Sequence, residues 1–256
     1  MISIIGAGNM GTVIASGIKT RVFFSDKFKR ISDNVTAAKR SDVIILAVKP
    51  QDIAGVLKEI SSYVKGKLII SIAAGVPTRS IEKILGKVKV IRVMPNMPSM
   101  VGKGISAISR GRFAKAEDLK IAFGIFRNLG EVVEVKEKMM DAVTAVSGSG
   151  PAYYFLFTHL LAKAAHAQGL EKDLALKLAW ATFIGAAEVA SRNKNLSMEE
   201  FIKKVASKGG TTEAALKAFK QEKIELVIKK AVKHAARRSK QLQIQHCQFS
   251  NCLRGK

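Results

Sequence analysis

The chain has 256 residues, enough for one large domain or two modest ones with a sizeable core. At 48% hydrophobic and 25% charged residues it has the composition of a globular protein, which excludes disordered and collagen-like classes. The net charge of +23 fits a nucleic-acid surface, an anionic ligand or a solvated basic shell. The lysines are spread along the chain and aromatics make up only 6%, so no basic run interleaved with aromatics marks a nucleic-acid surface. The shell is the reading, and its field still draws in anions.

Met1-Ile2-Ser3-Ile4-Ile5 is a short apolar strand. Gly6-Ala7-Gly8-Asn9-Met10-Gly11 follows at once, and a helix begins near Thr12. Strand, glycine turn and helix in this order are the context in which G-x-G-x-x-G binds a dinucleotide. Gly6 turns the chain off the strand. Gly8, lacking a Cβ, lets a pyrophosphate approach. Gly11 lets the helix lie close to the sheet, and the helix-start amides face the anion.

Residues 21–25 form a second strand whose tip meets the adenosine ribose in such a fold. Ser25 and Lys27 there suit a 2′-phosphate and favour NADP, whereas Asp26 pulls toward NAD. Solvated charge is the plain alternative for Lys27 and Arg30. Residues 42–48 and 67–72 are buried strands, separated by a helix over 53–60. Thr78 reads as a helix N-cap. Residues 89–94, 104–109 and 131–135 supply further strands, with a helix over 115–129 between the last two. The alternation predicts a parallel, doubly wound α/β sheet of Rossmann type. Ligands bind beyond the carboxyl ends of such strands, at Ala47-Val48-Lys49-Pro50, Ile72-Ala73-Ala74 and Met94-Pro95-Asn96.

From Lys138 the texture becomes helical. A short helix over 139–146 is interrupted by Ser147-Gly148-Ser149-Gly150, and Pro151 opens a helix that is apolar nearly all round. Gly169 caps it. A second long helix covers 173–192, and Ser197 with Glu200 makes a capping box. Lys208-Gly209-Gly210 opens a further helix, and 222–242 makes the last. The predicted domains are a dinucleotide-binding one over 1–137 and an all-α dimerisation and substrate domain over 138–256. So apolar a helical domain is expected to pair with a second copy. The loop around Ser207 and Thr212 reads either as a carboxylate cradle or as an ordinary capped turn. His159 and His166 read as core or surface histidines.

The only cysteines, Cys247 and Cys252, exclude a disulfide framework and point to a reducing compartment. With His246 they match no zinc spacing, so no metal is expected and the tail reads as an unstructured end. No leader pattern and no apolar run of spanning length is evident, and the reading is cytoplasmic, without a membrane.

Four stretches together resemble the pyrroline-5-carboxylate reductase family. They are Ala47-Val48-Lys49-Pro50-Gln51, the segment from Arg92 to Pro98, the segment from Ala145 to Tyr153, and the loop from Ser207 to Glu213. The resemblance runs over residues 1–242. It implies reduction of a cyclic imine to L-proline by NADPH, with NADH possible as donor. It also implies a Rossmann domain, a helical dimerisation domain and an active site shared across a dimer. It places Gly6, Gly8, Asn9, Met10 and Gly11 on the pyrophosphate, and Ser25, Lys27 and Asn34 at the adenosine. Ala47, Val48, Lys49, Pro50, Ile72, Ala73 and Ala74 border the cofactor, with Asn96 nearby. Ser207, Gly209, Gly210, Thr211 and Thr212, together with Asn96, hold the substrate, the Thr212 hydroxyl reaching the ring nitrogen as the catalytic group. Two departures stand out: Lys208 where the family has proline, and a short segment between Lys27 and Asp42. Rival readings are a 3-hydroxyacid dehydrogenase of the 6-phosphogluconate type, for which only Lys163 offers a catalytic lysine, and a non-catalytic NADP- or nucleic-acid-binding protein.

Overall fold

The computed structural model describes residues 1–26, 29 and 31–251, with residues 243–251 described by backbone only. Seven strands make one sheet: β1 (Ile2–Ile5), β2 (Val22–Ser25), β3 (Val43–Leu46), β4 (Leu68–Ser71), β5 (Lys89–Met94), β6 (Gly104–Arg110) and β7 (Gly130–Glu134). Their order is β2-β1-β3-β4-β5-β6-β7. Every residue of β3 and β4 is buried, as a strand covered on both faces requires.

The two faces are covered by different helices. Ile5, Ile44, Leu46, Ile69 and Val90 pack under α2 (Asn34–Arg40), α3 (Ile53–Ile60) and α4 (Thr78–Leu85). Ile4, Ile45, Ile70, Ile91 and Val93 pack under α1 (Asn9–Ser16) and α5 (Ala116–Phe126), where Ile14, Ile125 and Phe126 fill the layer. Alternate residues of one strand thus serve opposite cores, the period-two rule acting on a doubly covered sheet.

The expected parallel sheet needs one correction. β6 runs antiparallel to β5, and β7 then pairs parallel to β6. A parallel return needs a crossover element. The link from Met94 to Gly104 holds only the 3-10 turn Met97–Val101, so the chain turns back.

Two local expectations also shift. Pro77, not Thr78, is the N-cap of α4, and the Thr78 amide and hydroxyl both donate to the Glu137 carboxylate, at 2.7 and 2.8 Å. The Ser-Gly-Ser-Gly stretch interrupts the helix only at Ser149. The chain runs from α6 (Met140–Val143) through the π-helical turn Thr144–Gly148 into α7 (Gly150–Ala167). The Ser149 amide donates to the Thr144 carbonyl at 2.8 Å, and the Thr144 and Ser147 hydroxyls donate to carbonyls one turn back. A Cβ at Gly148 would lie 2.6 Å from the Met94 methyl, so glycine lets this turn press on the end of β5.

Then come α8 (Lys172–Arg192), α9 (Met198–Val205), α10 (Thr211–Gln221) and α11 (Ile224–Asn251). Ser197 and Glu200 form the expected capping box at 3.2 and 2.7 Å. α11 runs further than residue 242, so the expected unstructured tail is helical in its backbone to Asn251. The side chain of Cys247, and all of Cys252, lie outside the described residues, among which no metal-ligand group gathers.

The chain divides into two compact units, Met1–Pro151 with the chain from Val232 onward, and Ala152–Ala231. Within the first, the Ser239 hydroxyl of α11 donates to Asp141 at 2.8 Å. Within the second, Tyr154 and Phe155 of α7 pack on Phe183 of α8 with ring centroids 6.2 and 6.3 Å apart. Only Gly150, Thr158 and Ala162 of α7 are buried. α8, with a mean hydropathy of 1.3 in its most apolar window, is long and apolar enough to cross a membrane, which corrects the expectation of no such segment.

Candidate active site

The carboxyl ends of β1 to β5 gather the glycine corner and the apolar loops at one edge of the sheet. Gly6 leaves β1 with φ +108°, a conformation side chains rarely adopt. A Cβ there would lie 2.6 Å from the Ala47 carbonyl oxygen. A Cβ at Gly11 would collide with the Gly6 carbonyl oxygen. At Gly8 a Cβ would meet nothing within 4 Å. Two glycines are therefore demanded by the fold, and the third faces open space where a ligand would approach. Gly8 is the N-cap of α1, and no side chain caps that helix. Uncapped amides behind a bare glycine suit an anion, so the corner fits a dinucleotide pyrophosphate. Asn9 is exposed and Met10 half-buried on the first turn.

A cleft of about 380 Å³ opens beside the corner, with Gly6, Ser25, Asp26, Asn34 and Val48 in its wall. Ser25 is fully buried, and its hydroxyl donates to the Asn34 side-chain carbonyl at 2.6 Å. The Asn34 amide donates in turn to Glu59 at 2.6 Å. Ser25 thus orients Asn34, and its hydroxyl is already engaged. Lys27 lies outside the described residues. Asp26 accepts the Ala7 amide at 2.7 Å, and the Lys29 ammonium donates to the Ala7 carbonyl.

Sequence reasoning passed over Asp52, Gly55 and Glu59, which also line the cleft. Their i, i+3, i+7 spacing was the available signal, because it marks one polar face of α3 opposite Ile53, Leu57 and Ile60.

Ala47 donates its amide to Ile5 at 2.8 Å, and Ile72 donates to Leu46 at 3.1 Å, which fixes both loops to the strand ends. Lys49 is exposed and Pro50 opens a 3-10 turn. Ala73 is buried and Ala74 half-buried. Asn96 is 9% exposed, and its side-chain carbonyl accepts the Ile105 amide at 2.9 Å, so that oxygen holds the start of β6.

Nearby, Arg92 of β5 is 3% exposed and lies 3.5 Å from Glu137. Burial pushes its guanidinium pKa down, while Glu137 and Asp141 hold it up.

In the second unit, Ser207 to Gly210 makes a tight turn into α10. Gly209 sits at φ +72°, and the Gly210 amide donates to the Ser207 carbonyl at 3.0 Å. A Cβ at Gly210 would lie 2.5 Å from the Ser207 hydroxyl. Gly210 is the N-cap, no side chain caps α10, and Glu213 accepts the Gly209 amide at 2.6 Å. Thr211 and Thr212 form the first turn, with Thr212 half-buried. His159 is exposed, and a ring nitrogen of His166 meets the Leu170 carbonyl at 2.7 Å.

A doubly covered sheet with this glycine corner, followed by a helical domain, defines a Rossmann-type dinucleotide-dependent oxidoreductase. Residues 137–242 match the family described as pyrroline-5-carboxylate reductase dimerisation, and residues 19–75 match NADP oxidoreductase coenzyme F420-dependent. The pyrroline-5-carboxylate reductase of Methanosarcina acetivorans is 38% identical over 94% of this chain and 97% of its own. The Arabidopsis thaliana reductase is 36% identical over 94% and 95%. Among solved structures, the NADP-bound pyrroline carboxylate reductase of Plasmodium falciparum has a TM-score of 0.84 at 31% identity, over 94% of this chain and 97% of that one. The Coxiella burnetii pyrroline-5-carboxylate reductase has 0.86 at 34%, with the same coverage. The chain belongs to the pyrroline-5-carboxylate reductase family.

Proposed function

We propose that the protein reduces 1-pyrroline-5-carboxylate to L-proline with NAD(P)H, the last step of proline biosynthesis. The observation that carries this reading is that one chain holds two uncapped helix starts behind glycine turns, at α1 and at α10. One suits a pyrophosphate and the other a small carboxylate.

Gly6, Gly8, Asn9, Met10 and Gly11 hold the pyrophosphate, and Asn34 faces the adenosine, oriented by Ser25. Ala47, Val48, Lys49, Pro50, Ile72, Ala73 and Ala74 border the nicotinamide end, where the three alanines leave room for a flat ring. Bound there, NAD(P)H supplies the hydride. Ser207, Gly209, Gly210 and Thr211 hold the substrate carboxylate. Thr212 places its hydroxyl on the ring nitrogen as positive charge leaves it. A protonated C=N is already a good acceptor, so placement matters more than a strong acid, and no His/Asp pair is needed.

The functional division runs between residues 1–137 and 138–256. The working form is a homo-oligomer built on a dimer, in the cytoplasm. Thr212→Ala should lower kcat by roughly tenfold to a thousandfold, the scale of one lost transition-state hydrogen bond. Its dinucleotide affinity should stay unchanged. The assay follows NAD(P)H loss with pyrroline-5-carboxylate, and full turnover in the variant would reject the role.

A further inference from the structure

We infer that Glu213 is a positioning residue for the loop from Ser207 to Gly210, which it holds in its binding shape ahead of the substrate. The inference rests on the reductase reading of that loop. The Gly210 amide returns to the Ser207 carbonyl at 3.0 Å, and Gly209, third of the four residues, sits at φ +72°. A left-handed third residue behind a second residue of negative φ is the mark of a type II turn. Such a turn is stiffened by proline at its second position, which sets φ in advance. Lys208 stands there and sets nothing. With two glycines behind it, the turn by itself ranges over many shapes.

Glu213 provides the tie that Lys208 does not. It lies in the first turn of α10, and its carboxylate accepts the Gly209 amide at 2.6 Å. The bond pins the left-handed residue of the turn to a helix, and a charged acceptor makes it a strong one. The first bond of the helix ladder runs from the Ala214 amide to the Gly210 carbonyl at 3.2 Å, so the amides of Thr211, Thr212 and Glu213 stand ahead of it. Holding the turn therefore holds the Ser207 hydroxyl and those amides in one arrangement. A loop that visits this arrangement for only a fraction of the time binds its ligand more weakly by that fraction, while the complex, once formed, reacts as before.

The test is steady-state kinetics of the intact protein with pyrroline-5-carboxylate at saturating NAD(P)H. Glu213→Ala should raise KM about tenfold or more, the scale of one hydrogen bond to a charged group, and leave kcat within about twofold. Glu213→Gln keeps an oxygen for the Gly209 amide and should hold KM within about threefold of the unaltered protein. Lys208→Pro, added to Glu213→Ala, should recover most of the loss, because it stiffens the same turn from its second position. A merely structural role predicts the opposite split, with fewer active molecules and so a lower kcat at an unchanged KM. That split, or a Glu213→Gln variant as impaired in KM as Glu213→Ala, overturns the inference and leaves the reductase reading intact. So does a double variant that recovers nothing. An unaltered protein that turns over no pyrroline-5-carboxylate would instead remove the reductase reading, and the inference along with it.

Discussion

Gly8 and Gly11 lie three residues apart, yet a methyl group added to each meets opposite things. At Gly11 it collides with the Gly6 carbonyl, so alanine there disturbs the fold itself. At Gly8 it points into open space, and the backbone, φ −76° and ψ −177°, is one that alanine adopts freely. Gly8→Ala should therefore keep the melting temperature within about 2 °C, as a substitution without strain or lost packing does. It should weaken dinucleotide binding by at least tenfold, because the methyl group occupies the approach of the pyrophosphate. Thermal denaturation and a binding titration on one preparation separate the two effects. Retained affinity would mean that the phosphates lie elsewhere. The steric need for glycine at Gly6 and Gly11 was legible from spacing alone. The fate of the Ser25 hydroxyl was not, because its partner Asn34 is distant in sequence and only the packing of α2 under β2 brings them together.

At the level of elements, the Arg92 network shows how a buried charge ties separate pieces together. Arg92 lies in the middle of β5, and Glu137 precedes α6. Glu137 also receives the first amide of α4, and Asp141 receives Ser239 of α11. Removing one partner leaves a desolvated cation, so Glu137→Ala should cost about 3 kcal/mol. Arg92→Met combined with Glu137→Ala should cost less than the sum of the single changes, since neither charge is left alone. Urea unfolding of the four proteins checks this, and additive losses would rule the coupling out. These elements also mark where sequence reading stopped. Strands and helices of the sheet were visible through their period, and Ser197 with Glu200 through its spacing. The reversed β6 was not, because direction depends on the link from Met94 to Gly104 and not on any strand residue. The π-helical turn was missed because Ser-Gly-Ser-Gly reads as a breaker, whereas hydroxyls bonded one turn back let the helix continue.

At the level of the whole molecule, the helical unit leaves Tyr154, Leu156, Phe157 and Leu160 of α7 about half exposed, at 65, 56, 49 and 50%. A helix that is apolar all round must be covered, and water is a poor cover. A membrane could supply it by length at α8, but the dimerisation family matched by residues 137–242 argues for a second copy. In a two-fold dimer each substitution counts twice. Leu156 and Leu160 lie one turn apart on a single face, and each has about half of its surface left to cover. Four such half-leucines contribute about 4 kcal/mol, so Leu156→Glu with Leu160→Glu should weaken association about a thousandfold, before any cost of burying the new charges. Light scattering should then report one chain where the unaltered protein reports two or a multiple of two, with the helical circular dichroism retained. Activity should fall together with the mass if the substrate loop works only in the paired form, whereas full activity in a monomer would make a single chain catalytically sufficient.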